Sequence, residues 1–190
     1  MIKGIYLDND ESLSHCVLRE PNQKHLRFAL EDGGIYYPII RPCAKRIIDY
    51  CRNLVGAENV RILTTATKEY IRGVNEVAEW GFEDEQLIAR EEISNHHFAT
   101  AYGGNCTLPS KYAHRDNVLI DNLDPRNNPD KISFLGIWKT VDTNYLKVRD
   151  YYGVDFPSDL FEEKVLQFLE ERHSAPSQCK QISEEENLEI

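Results

Sequence analysis

Three short apolar runs break into polar residues at their ends. Ile2 to Leu7 opens into Asp8-Asn9-Asp10-Glu11-Ser12, Val60 to Ala66 ends in hydroxyl side chains, and Asn117 to Ile120 runs into Asp121-Asn122-Leu123-Asp124-Pro125. Apolar runs of this length without strict alternation read as strands buried on both faces. Helix-period segments separate them. Ala44, Ile47, Ile48, Cys51, Leu54 and Val55 recur at helical spacing within Cys43 to Val55, and Lys68 to Trp80 reads as an amphipathic helix closed near Gly81. Pro157 to Arg172, with Leu160, Phe161, Val165, Phe168 and Leu169 on one side, reads as a closing helix, and Phe134 to Trp138 as a further strand. Phe82 to Ile93 is polar and helical in part, and Ser94 to Pro109 is irregular or holds a short strand.

Such alternation predicts an α/β, Rossmann-like three-layer sandwich with a mostly parallel sheet. Ligands of these sheets bind beyond the carboxyl ends of the strands, where all three polar ends would meet. Between the first two strands, Ser14 to Ile40 predicts a β-hairpin flap, with His25 to Leu30 and Ile35 to Ile40 joined through Glu31-Asp32-Gly33-Gly34. The expected organisation is one domain over 1–173, with the flap insertion at about 14–40, and an acidic, disordered tail over 174–190.

Composition bounds the partners. Lys plus Arg number 22 against 32 Asp plus Glu, a net charge of −10 that repels phosphate backbones, so general nucleic-acid binding is disfavoured. No apolar run approaches the ~20 residues of a membrane-spanning helix. Met1 leads into a short strand-like run without the longer apolar segment and cleavage site of a secretory signal, so a cytoplasmic location is expected. The cysteines, five in number, form no C-x-x-C pair and read as reduced thiols.

Asp8 and Asp10 stand two apart at a strand end, where both carboxylates can be aimed into one cleft. One carboxylate attacking phosphorus while another shuttles a proton splits phosphoester hydrolysis into two easier steps. Mg²⁺, a hard ion that takes few protein carboxylates and keeps waters, would join Asp8 to Asp121. Lys111 supplies a cation for the phosphate, and Thr65 offers a hydroxyl and an N–H to a phosphoryl oxygen. Ala66, Asn122 and Arg41 are further candidate substrate contacts, although an arginine at a strand-helix junction is more often a structural ion-pair donor. His96-His97 do not make a zinc site, because adjacent strand residues face opposite ways and no cysteine pair supports them. Trp80, Phe82, Tyr36 and Tyr37 read as core or flap packing rather than base-stacking platforms.

These motifs carry a resemblance. Leu7-Asp8-Asn9-Asp10-Glu11-Ser12-Leu13 resembles the first motif of the haloacid dehalogenase superfamily, Ile62-Leu63-Thr64-Thr65-Ala66 the second, Lys111 the third, and Val118-Leu119-Ile120-Asp121-Asn122 the fourth. The stretch Phe28 to Ile48 and the pair Asp121-Asn122 resemble the small C-terminal-domain phosphatase (NLI-interacting-factor-like) branch, and the short gap from Lys111 to Asp121 is closer to deoxyribonucleotidases. The resemblance implies a Mg²⁺-dependent phosphatase working through an aspartyl-phosphate. In it Asp8 is the nucleophile, Asp10 is the acid/base whose main-chain carbonyl meets the metal, Thr65 and Lys111 hold phosphate, and Asp121 anchors Mg²⁺. Ser12 stands where the family carries Thr or Val, and Asn122 where many members carry a second acid, so that Asp124 or a water would complete the outer metal shell. The implied substrate is a phosphoprotein, a nucleotide or a small phosphorylated metabolite. The alternatives are a 5'-nucleotidase-type phosphatase and a non-catalytic phosphate-binding or regulatory protein on the same scaffold.

Overall fold

The computed structural model describes residues 1–21, 26–93, 116–122, 145–154 and 160–174. The expected Phe134 to Trp138 strand, the His96-His97 pair, Lys111, Asp124 and the tail beyond Ser174 lie outside them.

In chain order the described elements are β1 (Gly4–Leu7), β2 (Ser14–Val17), β3 (Phe28–Ala29), β4 (Ile35–Ile40), α1 (Ala44–Val55), β5 (Val60–Leu63), α2 (Lys68–Val77), β6 (Leu87–Ile88), α3 (Arg90–Ile93), β7 (Asn117–Asp121), β8 (Tyr145–Lys147) and α4 (Phe161–Ser174). Five strands form one sheet in the order β6-β5-β1-β7-β8, and every neighbouring pair is parallel. The α/β class with a parallel sheet is therefore as expected. The apolar runs supply its centre: Ile5, Leu7, Val60, Ile62, Val118 and Ile120 are all buried, as strands covered on both faces must be. Helix α1 packs on β1, β5 and α4, turning Ala44, Ile47, Ile48 and Cys51 inward, and α2 packs on β6 and β3.

Strand order matters more than strand count. From β1 the chain moves outward on one side through β5 and β6, then returns to β1's other edge for β7 and β8. Leu7 registers with Ile62 on β5 and with Ile120 on β7, which brings the carboxyl ends of the three strands level at this reversal. A crevice opens at such a switch point, where adjacent connections leave in opposite directions.

The flap is a three-stranded antiparallel sheet in the order β2-β4-β3. Its turn forms as expected: Gly33 has φ +85°, and Asp32 Oδ1 accepts from the Gly34 N–H at 2.8 Å. Ser14 to Val17 pairs with β4 as a strand of its own, which the hairpin reading did not include. Several boundaries also differ. Helix α2 stops at Val77, because Glu79 and Gly81 have positive φ. Leu87–Ile88 forms a strand inside the stretch read as helical, and Leu160 is exposed just ahead of α4 instead of on its apolar side. Trp80, Phe82 and Tyr37 are buried, in keeping with a packing role. Arg52 fastens the turn after α2, donating to the Trp80 and Gly81 carbonyls at 2.8 and 2.9 Å.

Flap and helix α2 meet at Gly73, where an added Cβ would come within 2.2 Å of the Phe28 ring. Alanine in a helix interior gains up to ~1 kcal/mol over glycine, whereas overpacking a close contact costs about 1–3 kcal/mol. Gly73→Ala is therefore expected to destabilise the wild-type chain, and to stabilise a Phe28→Ala background, when both are compared by denaturant unfolding. Equal effects in the two backgrounds would show that Phe28 does not rest on this glycine.

Candidate active site

Strand β1 does not simply stop at Leu7. The Asp8 N–H still donates to the Ile120 carbonyl at 2.9 Å, so Asp8 is held as an extension of the sheet. The loop then wraps around Asn9, which is fully buried; its carbonyl accepts from the N–H groups of Ser12, Leu13 and Ser14 at 3.2, 2.9 and 3.0 Å. The Asn9 side chain accepts from the Ser14 hydroxyl at 2.9 Å and donates to Asp10 Oδ1 at 3.0 Å. Glu11 completes the reversal with φ +62°. With Asn9 turned into the protein, the carboxyls on either side of it are left to the cleft.

Asp8 and Asp10 have different surroundings. Asp8 Oδ2 accepts from the Ser12 hydroxyl at 2.8 Å. That hydroxyl also accepts from the Asn122 N–H at 3.1 Å and lies 3.4 Å from Asn122 Oδ1. Ser12 thus ties the end of β1 to the end of β7. Asn122 is 3 % exposed, and its Nδ2 donates to Asp150 Oδ1 at 3.1 Å and Glu11 Oε2 at 3.4 Å. Two carboxylate acceptors on the nitrogen side fix the amide orientation, which turns Oδ1 toward Ser12 and Asp8.

Asp10 sits among donors. Its Oδ1 accepts from the Tyr70 hydroxyl at 2.7 Å, and its Oδ2 from the Thr64 hydroxyl at 3.2 Å. Burial pushes its carboxyl above the usual carboxylate range, against the opposing pull of the Tyr70, Thr64 and Asn9 hydrogen bonds and the His15 charge. A raised pKa suits a carboxyl that must carry a proton near neutral pH.

The expected site residues can now be placed. Asp8, Asp10, Asp121 and Asn122 converge on one edge of the sheet, at the ends of β1 and β7. Thr65 is exposed on the loop after β5, its carbonyl accepting from Arg90 Nε at 2.9 Å. Thr64 was missed: it is 2 % exposed, contacts Asp10, and accepts the Ala66 N–H at 3.1 Å. The Ala66 amide is therefore engaged within its own loop instead of facing the cleft. Arg41 is corrected outright as a substrate contact. It is 1 % exposed, its guanidinium lies 3.8 Å from the Phe161 ring centroid and 4.7 Å from that of Tyr151, and Nη2 donates to the Arg149 carbonyl at 3.1 Å. This cation holds the flap base to α4 and to the segment after β8. Tyr70 and Asp150 carried no local signal, one being indistinguishable from a core aromatic and the other from a surface acid.

Among the described residues no group of three His, Cys, Asp or Glu side chains converges as a metal cluster. The oxygens gathered at Ser12 are instead a carboxylate from Asp8 and an amide oxygen from Asn122. Hard oxygen donors, few of them charged, fit Mg²⁺, which retains much of its water. Among the described residues no helix is long and apolar enough to cross a membrane.

No protein-family model matches this chain, and no curated protein matches it. Among solved structures it is similar to the fission yeast RNA polymerase II CTD phosphatase Fcp1, in a single-residue variant bound to beryllium fluoride, with a TM-score of 0.53 and 14 % identity over 90 % of this chain and 50 % of that one. A second structure of Fcp1, described as an essential RNA polymerase II CTD phosphatase, gives 0.53 and 15 % over 90 % and 51 %. The HAD domain of the effector Lem4 from Legionella pneumophila, an inactive mutant, gives 0.41 and 13 % over 90 % and 97 %. The chain spans about half the length of the Fcp1 chains it matches. Its fold is similar to that of the Fcp1 structures.

The raised Asp10 pKa has a direct consequence for stability. Below the ordinary carboxylate pKa the group is protonated in both folded and unfolded chains and carries no penalty. As pH climbs from there through the raised folded-state pKa, the unfolded chain releases its proton first and the folded state loses stability. Asp10→Asn does not titrate, so its melting temperature relative to wild type should rise as pH climbs above about 4 in chelator. A difference that shrinks as pH rises would contradict the burial of this carboxyl.

Proposed function

We propose that the chain is a Mg²⁺-dependent phosphomonoester hydrolase working through an aspartyl-phosphate. The observation that carries this reading is the division of Asp8 and Asp10 into two environments at the switch point of the sheet. Asp8 lies at the Ser12 hydroxyl beside Asn122, and Asp10 is half-buried, with a raised pKa, among hydroxyl donors. Two carboxyls kept apart in this way can take a nucleophile's part and a proton carrier's part in one reaction.

In the first step an Asp8 oxygen bonds to phosphorus as the bond to the leaving oxygen breaks, and Asp10 gives that oxygen a proton. In the second, water bonds to phosphorus, the Asp8 bond breaks, and Asp10 takes the water proton. Asp8, the Asp10 main-chain carbonyl, Asn122 Oδ1 and Asp121 would hold Mg²⁺, which when bound offsets the negative charge of phosphate and nucleophile. Thr65 presents its hydroxyl to a phosphoryl oxygen from the exposed loop after β5. Lys111, outside the described residues, supplies the cation for the phosphate. The substrate is a phosphorylated protein or small metabolite, and likeness in fold to a CTD phosphatase makes a phosphoserine or phosphothreonine peptide the first to try.

Asp8→Asn should abolish Mg²⁺-dependent hydrolysis of 4-nitrophenyl phosphate, a loss of at least about 10³-fold given the share of catalysis a nucleophile carries, while its circular dichroism and melting temperature remain those of a folded chain. Near-normal turnover by this variant would overturn the assignment. No turnover by the wild type on aryl phosphate, phosphopeptide or nucleoside monophosphate would favour a phosphate-binding scaffold.

A further inference from the structure

Tyr70 joins the flap rings to Asp10. Tyr70 lies in the first turn of α2, whose N-cap Thr67 accepts the Tyr70 N–H at 3.3 Å. Its ring is buried edge-on against two flap rings, Phe28 at 5.6 Å and 67° and Tyr36 at 5.4 Å and 80°. Those two stack on each other at 5.6 Å and 13°. The Tyr70 hydroxyl donates to Asp10 Oδ1 at 2.7 Å. One hydroxyl carries one proton. The short contact to a carboxyl oxygen claims it.

The consequence for Asp10 lies in which oxygen can carry its proton. Oδ1 receives two donors, Tyr70 at 2.7 Å and the Asn9 amide at 3.0 Å, and so is held as an acceptor. Oδ2 meets the Thr64 hydroxyl at the longer 3.2 Å. A carboxyl held in this way has Oδ1 filled by two donors, whereas Oδ2, with one donor at longer range, keeps a lone pair for the proton.

We propose that Tyr70, clamped between the flap rings and helix α2, is a positioning residue that keeps Asp10 Oδ1 as acceptor and presents Oδ2 to the leaving oxygen of the substrate. This rests on the phosphatase reading above. The phosphorus-to-leaving-oxygen bond breaks as the Asp8-to-phosphorus bond forms, and the Oδ2 proton moves to the departing oxygen, leaving Asp10 as a carboxylate. The flap is then coupled to proton delivery, because Phe28 and Tyr36 hold the ring whose hydroxyl orients the acid.

Leaving-group dependence separates this role from a structural one. Phenolate needs a proton to depart, whereas 4-nitrophenolate leaves without one, and kcat/KM reports on events through the first irreversible step. In Tyr70→Phe, which keeps the ring and its flap contacts, kcat/KM for phenyl phosphate should fall by about tenfold or more, and that for 4-nitrophenyl phosphate by less than about threefold. The melting temperature should stay within a few degrees of wild type. Phe28→Leu, which loosens the clamp without touching the hydroxyl, should show the same selectivity at smaller amplitude. Adding Tyr70→Phe to Asp10→Asn should cause no further selective loss, since the group to be positioned is gone. Equal losses on both substrates, or no loss on phenyl phosphate, would overturn the positioning role while the phosphatase reading stands. Absence of wild-type turnover on both substrates would overturn the phosphatase reading and this role with it.

Discussion

Strand β1 has neighbours on both edges, and the sheet grows away from it in opposite directions. That constraint creates the site. Because Leu7 registers with Ile62 on one side and Ile120 on the other, the residues that follow these three positions share one edge without any loop having to reach across the protein. A parallel arrangement has this consequence only where the order reverses, since elsewhere the connections on neighbouring strands lie over the same face. The apolar character of all three runs is the thermodynamic condition for it. Strands covered on both faces must be continuously apolar, so polar chemistry is pushed to their ends.

At that edge the local work is done by small polar side chains. Asn9 anchors the loop by drawing three amides onto its carbonyl, and Ser12 bridges Asp8 to the end of β7. Neither group carries charge, which allows them to sit buried beside carboxyls at the modest cost of satisfied hydrogen bonds. Burial of Asp10 works in the other direction and makes its ionised form costly. Two acids separated by one residue thus acquire different partners. The small flap sheet is fastened to α2 by aromatic contacts.

What could be read from the sequence follows from how far each signal extends. β1, β5 and β7 and helix α1 were legible because an apolar run or a 3.6-residue period spans several residues and depends on burial alone. β6, two residues long, and β2, reading Ser-His-Cys-Val, are too short or too mixed to show a period; their pairing with β5 and β4 makes them strands. Thr64 gave no signal of its own, because the carboxyl it contacts, Asp10, lies 54 positions away in the chain. Arg41 was expected at the substrate because a cation after the flap suits phosphate. The rings that claim it, Tyr151 and Phe161, come from distant parts of the chain. Tyr70 shows the same limit from the other side: its spacing marks a buried helix position, and only the folded chain brings its hydroxyl to Asp10.

The central claim is that Asp8 bonds to phosphorus. Its most direct test is to quench the full-length chain during turnover of an aryl phosphate with Mg²⁺, reduce with borohydride, and map the products by peptide mass spectrometry. An acyl phosphate reduced in this way leaves homoserine in place of aspartate. The account predicts homoserine at position 8 alone, dependent on both substrate and Mg²⁺ and absent from Asp8→Asn. Turnover without conversion at position 8, or conversion at Asp10 or Asp121 instead, would contradict it.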